Sequence, residues 1–371
     1  MGEVMDMAER AEGMPDFTGR TVLVTGHSGF IGAWLTTVLE HLGANVIGYS
    51  INDDPSAAAR AEWLGDVCAR QYEADIRDRD TLFSVIEEHR PDLVYHLAAQ
   101  ALLCRGFDDP HLTFEVNLRG SLNVLEAARL GMIPALVHVT SDKCYVPMKP
   151  GDSKLTEDSP LGGVSPYSAS KTIAEILFRE FTDLARLDGA PYRATSVRLG
   201  NVIGGGDDAD RLVPNCIRAF EDERVFAVRD PLAVRPFQHV LDVVAGFVLA
   251  GTRLLGAEER AVDALNFAPP SSGYTAGEMV FELARAWGEP SLISPACEAC
   301  AFPEDKLLWL DGSKASEMLG WQHAFDLRGS AERIVDWVRW VDAGMSPADA
   351  TRRQAAEYFV RPVVHHLHAA A

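Results

Sequence analysis

Between Thr21 and about Gly200, short runs of β-branched and aliphatic residues alternate with longer segments whose apolar positions recur every three or four residues. The short runs predict strands at Thr21–Thr25, Asn45–Ser50, Gln71–Ala74, Leu93–Leu97, Leu136–Thr140 and Thr195–Leu199. The longer ones predict helices at Ile31–His41, Asp80–His89, Leu112–Arg129 and Ala169–Leu187. Strands that alternate with helices are the signature of βαβ units, because a parallel strand pair needs a long crossover. The expected fold class is therefore α/β, a Rossmann-like doubly wound parallel sheet.

Beyond Gly200 the alternation fades and glycine and proline become frequent. Helices are expected at Val213–Phe220, Leu241–Leu254, Ala276–Trp287 and Arg328–Val341, which predicts a smaller, mostly helical C-terminal lobe. A late β-rich run at Ala264–Phe267 is expected to return to the main sheet. The expected organisation is a flexible leader at 1–19, an α/β domain at 20–200, a second lobe at 201–345 and a tail at 346–371. Within the lobe, about 236–268 would rejoin the first domain.

Composition narrows the function. The 371 residues are 47% hydrophobic and 24% charged, as in an ordinary globular protein. A net charge of −20 opposes nucleic acid, whose phosphates call for Lys and Arg. Any anionic ligand must then be held by locally gathered basic groups and helix N-termini. No apolar stretch of about 18 residues suits a membrane span. The leader carries Glu3, Asp6, Glu9, Glu12 and Asp16 and lacks the apolar run of a signal peptide, so the expected location is cytoplasmic. Six scattered cysteines fit reduced thiols, and Cys297-x-x-Cys300 lacks a second ligand pair nearby. His365, His366 and His368 read as solvated residues of the tail, and no metal is expected.

The first strand runs into Gly26-His27-Ser28-Gly29-Phe30-Ile31-Gly32 and then into a helix. In that context the first glycine permits a tight turn, the second lets backbone amides approach a diphosphate, and the third allows close helix–strand packing. A plain βα loop would also use glycines; placement after the first strand is what favours a dinucleotide. A ribose-binding acid is expected about 20 residues on. Counting from Gly32 reaches Asn52, Asp53 and Asp54, whereas alignment on the strand end puts Ser50 there. No Arg is expected close enough to take a 2′-phosphate, which favours NAD over NADP. Asp75-Ile76, just past the third strand, offers a carboxylate for the adenine amino group, although a solvated strand-end Asp reads equally well.

Tyr167 and Lys171 stand four apart at the start of a predicted helix and so share a face. Thr140-Ser141-Asp142-Lys143-Cys144-Tyr145 follows the fifth strand, at the sheet end where ligands of open α/β folds bind. An ammonium beside the Tyr167 phenol would lower its pKa and let it take a hydroxyl proton while hydride leaves the same carbon.

With the Gly26 loop, His96-Leu-Ala-Ala-Gln100, Thr140-Ser-Asp-Lys143 and Tyr167-x-x-x-Lys171, the chain resembles the extended short-chain dehydrogenases that act on nucleotide sugars. Ser141-Asp-Lys-Cys-Tyr145, Gly200-Asn-Val-Ile-Gly-Gly-Gly-Asp207, Asp210-Arg-Leu-Val-Pro214, Arg235-Pro-Phe-Gln-His-Val240 and Leu319-Gly-Trp321 resemble the CDP-glucose 4,6-dehydratase family, over roughly Gly19 to Gly344. The resemblance implies an NAD-dependent hydro-lyase that oxidises C4 of the hexose, eliminates water across C5 and C6, and returns the hydride to C6.

It further implies Asp142 as the acid at the C6 hydroxyl, Lys143 as the C5 base or only an orienting group, and Ser141 bonded to O4 beside Tyr167. A lysine base must be neutral, and burial with the nearby Lys171 charge would push it that way. Ala98, Ala99 and Gln100 would line the cofactor, and Asn201, Arg211, Arg235 and His239 the nucleotide-sugar substrate, expected to be CDP-glucose. For Arg211 and Arg235 an ordinary ion pair competes with diphosphate binding, and for His239 a structural role competes with a ligand contact. Asn117 would brace the helix beneath the site. Family members usually carry Lys where Ile31 stands, so one cofactor contact is missing here. A homodimer or higher homo-oligomer is implied. The competing readings are a nucleotide-sugar 4-epimerase, which needs no acid/base pair at Asp142 and Lys143, and a non-catalytic dinucleotide sensor.

Overall fold

The computed structural model describes residues 15–359, apart from residues 150, 190–191, 229, 257–261, 271–272 and 295–308. Cys297, Cys300, His365, His366 and His368 lie outside the described residues. The first half runs β1 (Thr21–Thr25), α1 (Phe30–His41), β2 (Asn45–Ser50), α2 (Pro55–Trp63), β3 (Arg70–Glu73), α3 (Arg79–His89), β4 (Leu93–His96), α4 (Leu103–Asp108), α5 (Pro110–Phe114), α6 (Gly120–Arg129), β5 (Ala135–Val139), α7 (Pro166–Leu187) and β6 (Arg193–Leu199). A π-helical turn, Glu115–Arg119, joins α5 to α6 inside what the periodicity predicts as one helix. The second half adds β7 (Val202–Ile203), α8 (Leu212–Glu221), β8 (Phe226–Ala227), β9 (Val234–Arg235), β10 (Gln238–His239), α9 (Val240–Gly256), β11 (Val262–Phe267), β12 (Tyr274–Thr275), α10 (Ala276–Trp287), β13 (Ile293–Ser294), α11 (Ser313–Leu319), α12 (Leu327–Asp342) and α13 (Pro347–Phe359).

Seven strands form one parallel sheet in the order β11-β6-β5-β4-β1-β2-β3. The chain turns one way from β1 and the other way from β4, and this reversal opens a crevice at their C-terminal ends. One face of the sheet is covered by a core that includes Trp34, Phe247, Phe267 and Trp321, the other by Leu82, Ile86, Leu125 and Phe178. The late strand does return to the sheet, as the edge beside β6. A third core, with Ile217, Phe220, Met279, Leu283 and Ile334, holds α8, α10 and α12 together.

Two border expectations change. Phe17, in the expected leader, is fully buried, and its N–H donates to the Leu42 carbonyl at 3.1 Å. The first part of the expected tail is helix α13, which packs on α1 and α12. Small Ala350 and Ala355 allow its close approach, and Thr351 Oγ1 accepts from Trp337 Nε1 at 3.1 Å. Its small apolar residues recur among charges, so the segment reads as polar in sequence although one face is buried. Among the described residues, no helix is long and apolar enough to cross a membrane.

Candidate active site

The glycine turn fits a dinucleotide on its own geometry. Gly26 has φ +75°, and a Cβ there would lie 2.7 Å from the Ala98 nitrogen. A Cβ on Gly32 would lie 2.0 Å from the Gly26 carbonyl oxygen, so helix α1 can start against the turn only without a side chain. The N-cap of α1 is Gly29, and no side chain caps it. The amides of that first turn are thereby left to an anion, which the positive end of the helix also favours. Gly32→Ala should therefore weaken NAD binding roughly ten- to hundredfold by titration calorimetry, since overpacking costs about 1–3 kcal/mol and about 1.4 kcal/mol is a decade. Unchanged affinity in a folded variant would place the cofactor elsewhere.

Around this turn the expected cofactor residues divide. Ala98 meets Gly26, Ala99 follows half-buried at the end of β4, and the Phe30 ring touches Gly204 from the other lobe. Ile31 is half-buried and packs on the sheet core. Ser50, at the end of β2, accepts a hydrogen bond from Ser28 Oγ at 2.9 Å, so two hydroxyls occupy the expected place of a ribose acid. Of the carboxylates reached by counting, Asp54 caps α2 through the Ala57 N–H at 2.8 Å, and Asp53 pairs with Arg105 at 3.6 Å. Asp75 is gripped by Arg77 at 2.6 Å, which holds its carboxyl below the usual range, and Ile76 packs on Gly120.

Three expectations here are corrected. His27 turns its imidazole away from the turn, under Gly48, with Nε2 2.7 Å from Gln71 Oε1, because the absent side chain at Gly48 leaves a slot for it. Gln100 spends its side chain on the fold, donating to Thr113 Oγ1 at 2.8 Å and accepting from the Leu102 N–H at 2.6 Å. Its backbone is clamped by Asn117, which also donates to Ser170 at 2.9 Å and so braces α7 as expected. An Arg does reach this region: Arg60 on α2 donates to the Ser28 carbonyl at 2.7 Å. It is also paired with Asp208 at 2.5 Å, so its charge is already committed.

The second cluster forms where α7 begins. Ser165 caps the helix through the Ser168 N–H at 3.1 Å, Pro166 opens it, and Tyr167 and Lys171 follow on one face. Opposite them Ser141 caps a short 3₁₀ turn, Asp142–Cys144. The Ser141 hydroxyl donates to Asp142 Oδ1 at 3.0 Å, accepts from the Lys143 N–H at 3.2 Å and is hydrogen-bonded to the Tyr167 phenol. One hydroxyl thus ties the phenol to the acidic end of the turn. Asp142 is buried, and a Cβ on Gly200 would lie 2.9 Å from its Oδ2, so only glycine fits there; Lys143 is half-buried.

The expected lowering of the phenol is not what the geometry gives. Burial raises the Tyr167 pKa, against the hydrogen bond with Ser141 and the charge of Arg211, and the Asp142 charge adds to the rise. Lys171 instead sends its Nζ to the Val139 carbonyl at 3.4 Å, and burial pushes it down to about 8, with Glu175 opposing.

On the substrate side, Asn201 is exposed beside Gly200, and its carbonyl accepts from the Gln238 N–H at 3.0 Å. Arg211 is exposed, lies 3.8 Å from Asp207, and stands near enough to Tyr167 to act on its charge. Arg235 is buried, with Nη1 donating to the Val234 carbonyl at 2.9 Å, and the next residue, Pro236, packs against Gly200. Gly200 and Pro236, the chain neighbours of Asn201 and Arg235, thus pack beside Asp142, and Arg211 lies near Tyr167. His239 is instead fully buried between Trp34 and Phe325, accepts from the Leu241 N–H at 3.2 Å, and braces the core. Sequence reasoning missed Glu175 and Arg198, an ion pair at 2.7 Å behind the site. The signal was present, since Arg198 is a charge inside an apolar strand and Glu175 lies one turn past Lys171. Among the described residues, no group of acidic, His or Cys side chains is placed to hold a metal.

Residues 22–262 match the model of the NAD dependent epimerase/dehydratase family. Over 355 residues, 92% of this chain and 96% of its relative, the chain is 35% identical to a CDP-glucose 4,6-dehydratase of Salmonella typhimurium. Two solved structures are similar in fold and sequence. A UDP-glucose 4-epimerase of Thermus thermophilus in complex with NAD is 27% identical, with 86% of this chain and 99% of that one covered and a TM-score of 0.72. A dTDP-glucose 4,6-dehydratase of Streptomyces venezuelae with NAD bound is 25% identical, with 88% and 99% covered and a TM-score of 0.73.

Proposed function

Because the chain belongs to the NAD dependent epimerase/dehydratase family, we propose that it is a nucleotide-sugar 4,6-dehydratase that converts CDP-glucose to CDP-4-keto-6-deoxyglucose. The observation that carries this reading is the single hydroxyl of Ser141 joining Tyr167 to the Asp142–Lys143 turn. A 4-epimerase needs the phenol and the cofactor, whereas dehydration also needs an acid and a base, and here both stand on one turn beside the phenol.

NAD, the family's cofactor, supplies a hydride acceptor at C4 and a donor at C6 within one turnover. Gly26, Gly29 and Gly32 would hold its diphosphate, Ser50 and Asp75 the adenosine end, and Lys171 the end beside Tyr167. Tyr167 takes the proton of the C4 hydroxyl, and Ser141 steadies that oxygen. The resulting C4 ketone acidifies the C5 proton, which Lys143 removes and gives back to C5 once C6 is reduced, and Asp142 protonates the departing C6 hydroxyl. Asn201, Arg211 and Arg235 would hold the diphosphate and sugar against the turn, Arg being suited to bidentate phosphate contacts. Exposed Leu122, Ile176, Leu184 and Leu187 on α6 and α7 offer the apolar face for the expected homodimer.

Incubation of the protein with CDP-glucose and NAD is expected to yield a product lighter by one water, with no net reduced cofactor, by mass spectrometry and absorbance. The same incubation with UDP-glucose and dTDP-glucose tests the base. No dehydrated product from any nucleotide-glucose would remove the dehydratase reading, and a C4 epimer in its place would establish the epimerase.

A further inference from the structure

Behind the catalytic turn lies a buried polar network that the reaction does not itself require. Glu175, one turn past Lys171 on α7, accepts hydrogen bonds from the hydroxyls of Thr140 at the end of β5 and Ser196 on β6, and pairs with Arg198 Nη2 at 2.7 Å. Arg198 Nη1 donates to the Tyr145 hydroxyl at 2.7 Å and to the Glu157 carbonyl at 3.0 Å. The Tyr145 hydroxyl donates to Asn266 Oδ1 at 2.7 Å, and Asn266 Nδ2 donates to the Leu155 carbonyl at 2.9 Å. The Asn266 N–H reaches Glu157 Oε1 at 2.7 Å. The chain of bonds thus joins β5, β6, β11, helix α7, the catalytic turn and the loop that follows it.

We propose that Glu175 and Arg198 are positioning residues for the catalytic centre: Arg198 fixes the Asp142–Tyr145 turn through Tyr145, and Glu175 sets a fixed anion one turn past Lys171 on α7. A buried ion pair is weak evidence for stability, because well-packed apolar residues of similar volume often do as well or better. The charges must then serve something else: Glu175 stands one turn past Lys171 and its charge acts on that ammonium. The titratable groups around its ammonium are Glu175 on α7, Cys144 on the turn, and His96 and His138 on β4 and β5. Burial lowers both imidazoles and raises the Cys144 thiol, so all three are neutral. That leaves Glu175 as the anion of the set. Glu175 is locked in place by Thr140, Ser196 and Arg198, so its charge stays fixed one turn from Lys171.

The inference rests on the reading of Lys171 as part of the redox site, and the experiment separates the two. The Lys171 titration is read in the cofactor-free protein from its ¹³Cε shift, assigned with a Lys171→Arg variant. In Glu175→Gln it should move to lower pH by roughly 1 unit, the order of shift that losing a neighbouring opposite charge brings. Glu175→Asp should restore part of the shift. Because Glu175→Gln leaves Arg198 buried without its partner, the double variant Glu175→Gln/Arg198→Met, which removes both charges, should show a smaller displacement in the same direction in a better-folded protein. The alkaline limb of kcat should move with it, giving roughly tenfold lower turnover above both pKa values. An unmoved Lys171 titration in both variants, with only thermal stability reduced, would overturn the proposal. A moved titration with an unmoved kcat profile would support the positioning and instead overturn the part given to Lys171 in catalysis.

Discussion

Tyr167→Phe is expected to lower kcat by about 10²–10⁴-fold, the usual contribution of a positioned general base, while nucleotide and cofactor affinities change little. Helix α4 packs on the Cβ and backbone of Tyr167, where a Cβ on Gly106 would meet both at 3.4 Å, and phenylalanine keeps that packing. What is lost is one oxygen bonded to Ser141. Burial and the Asp142 charge hold the free phenol in its protonated form, so it becomes a base only when positive charge arrives beside it. Turnover should then rise with pH through the phenol's titration in the cofactor-loaded enzyme and lose that limb in the variant. Single-turnover kinetics together with calorimetry of NAD and CDP would check the split between chemistry and binding. Retention of more than about a tenth of the turnover would take Tyr167 out of the proton transfer.

The sheet and the glycine turn were legible because both are local. A strand buried on both faces must be apolar throughout, and a helix that starts against a turn must start on glycine, so β1, Gly26 and Gly32 are written in consecutive residues. The Tyr167, Lys171 and Ser141 cluster was legible for a related reason, since the helical repeat and the end of β5 bring the two segments to one edge. What was not legible depends on where a side chain turns. Nothing in the sequence says that His27 slides under Gly48, that Gln100 bonds Thr113, or that His239 fills a space between Trp34 and Phe325. All three come with the motif, but burial diverts each to the fold. The phenol shift was misjudged for a similar reason. Four residues of helix put Lys171 on the face of Tyr167, yet the ammonium turns to the Val139 carbonyl, and desolvation dominates.

Asp142→Asn should separate the halves of the reaction. The amide keeps the shape of the carboxylate, so the fit against Gly200 and the bond from Ser141 remain possible, but it cannot deliver a proton to the departing C6 hydroxyl. Oxidation at C4 depends on Tyr167 and should persist, so reduced cofactor should accumulate on mixing with CDP-glucose where the unaltered protein shows none. Overall dehydration should fall by about 10²–10⁴-fold, the range expected for a missing general acid. If Lys143 is the base, the C5 position should still exchange with deuterated solvent, because the ketone forms and the proton is removed while elimination stalls. Exchange is read by mass spectrometry of recovered substrate. Two results would count against the assignment, and they point in different directions. Full turnover with a C4 epimer as product would mean that the turn only shapes an epimerase site. Loss of dehydration with no reduced cofactor would mean that Asp142 acts before the elimination, through its bond to Ser141 and the phenol, and the acid would have to be sought elsewhere on the cleft.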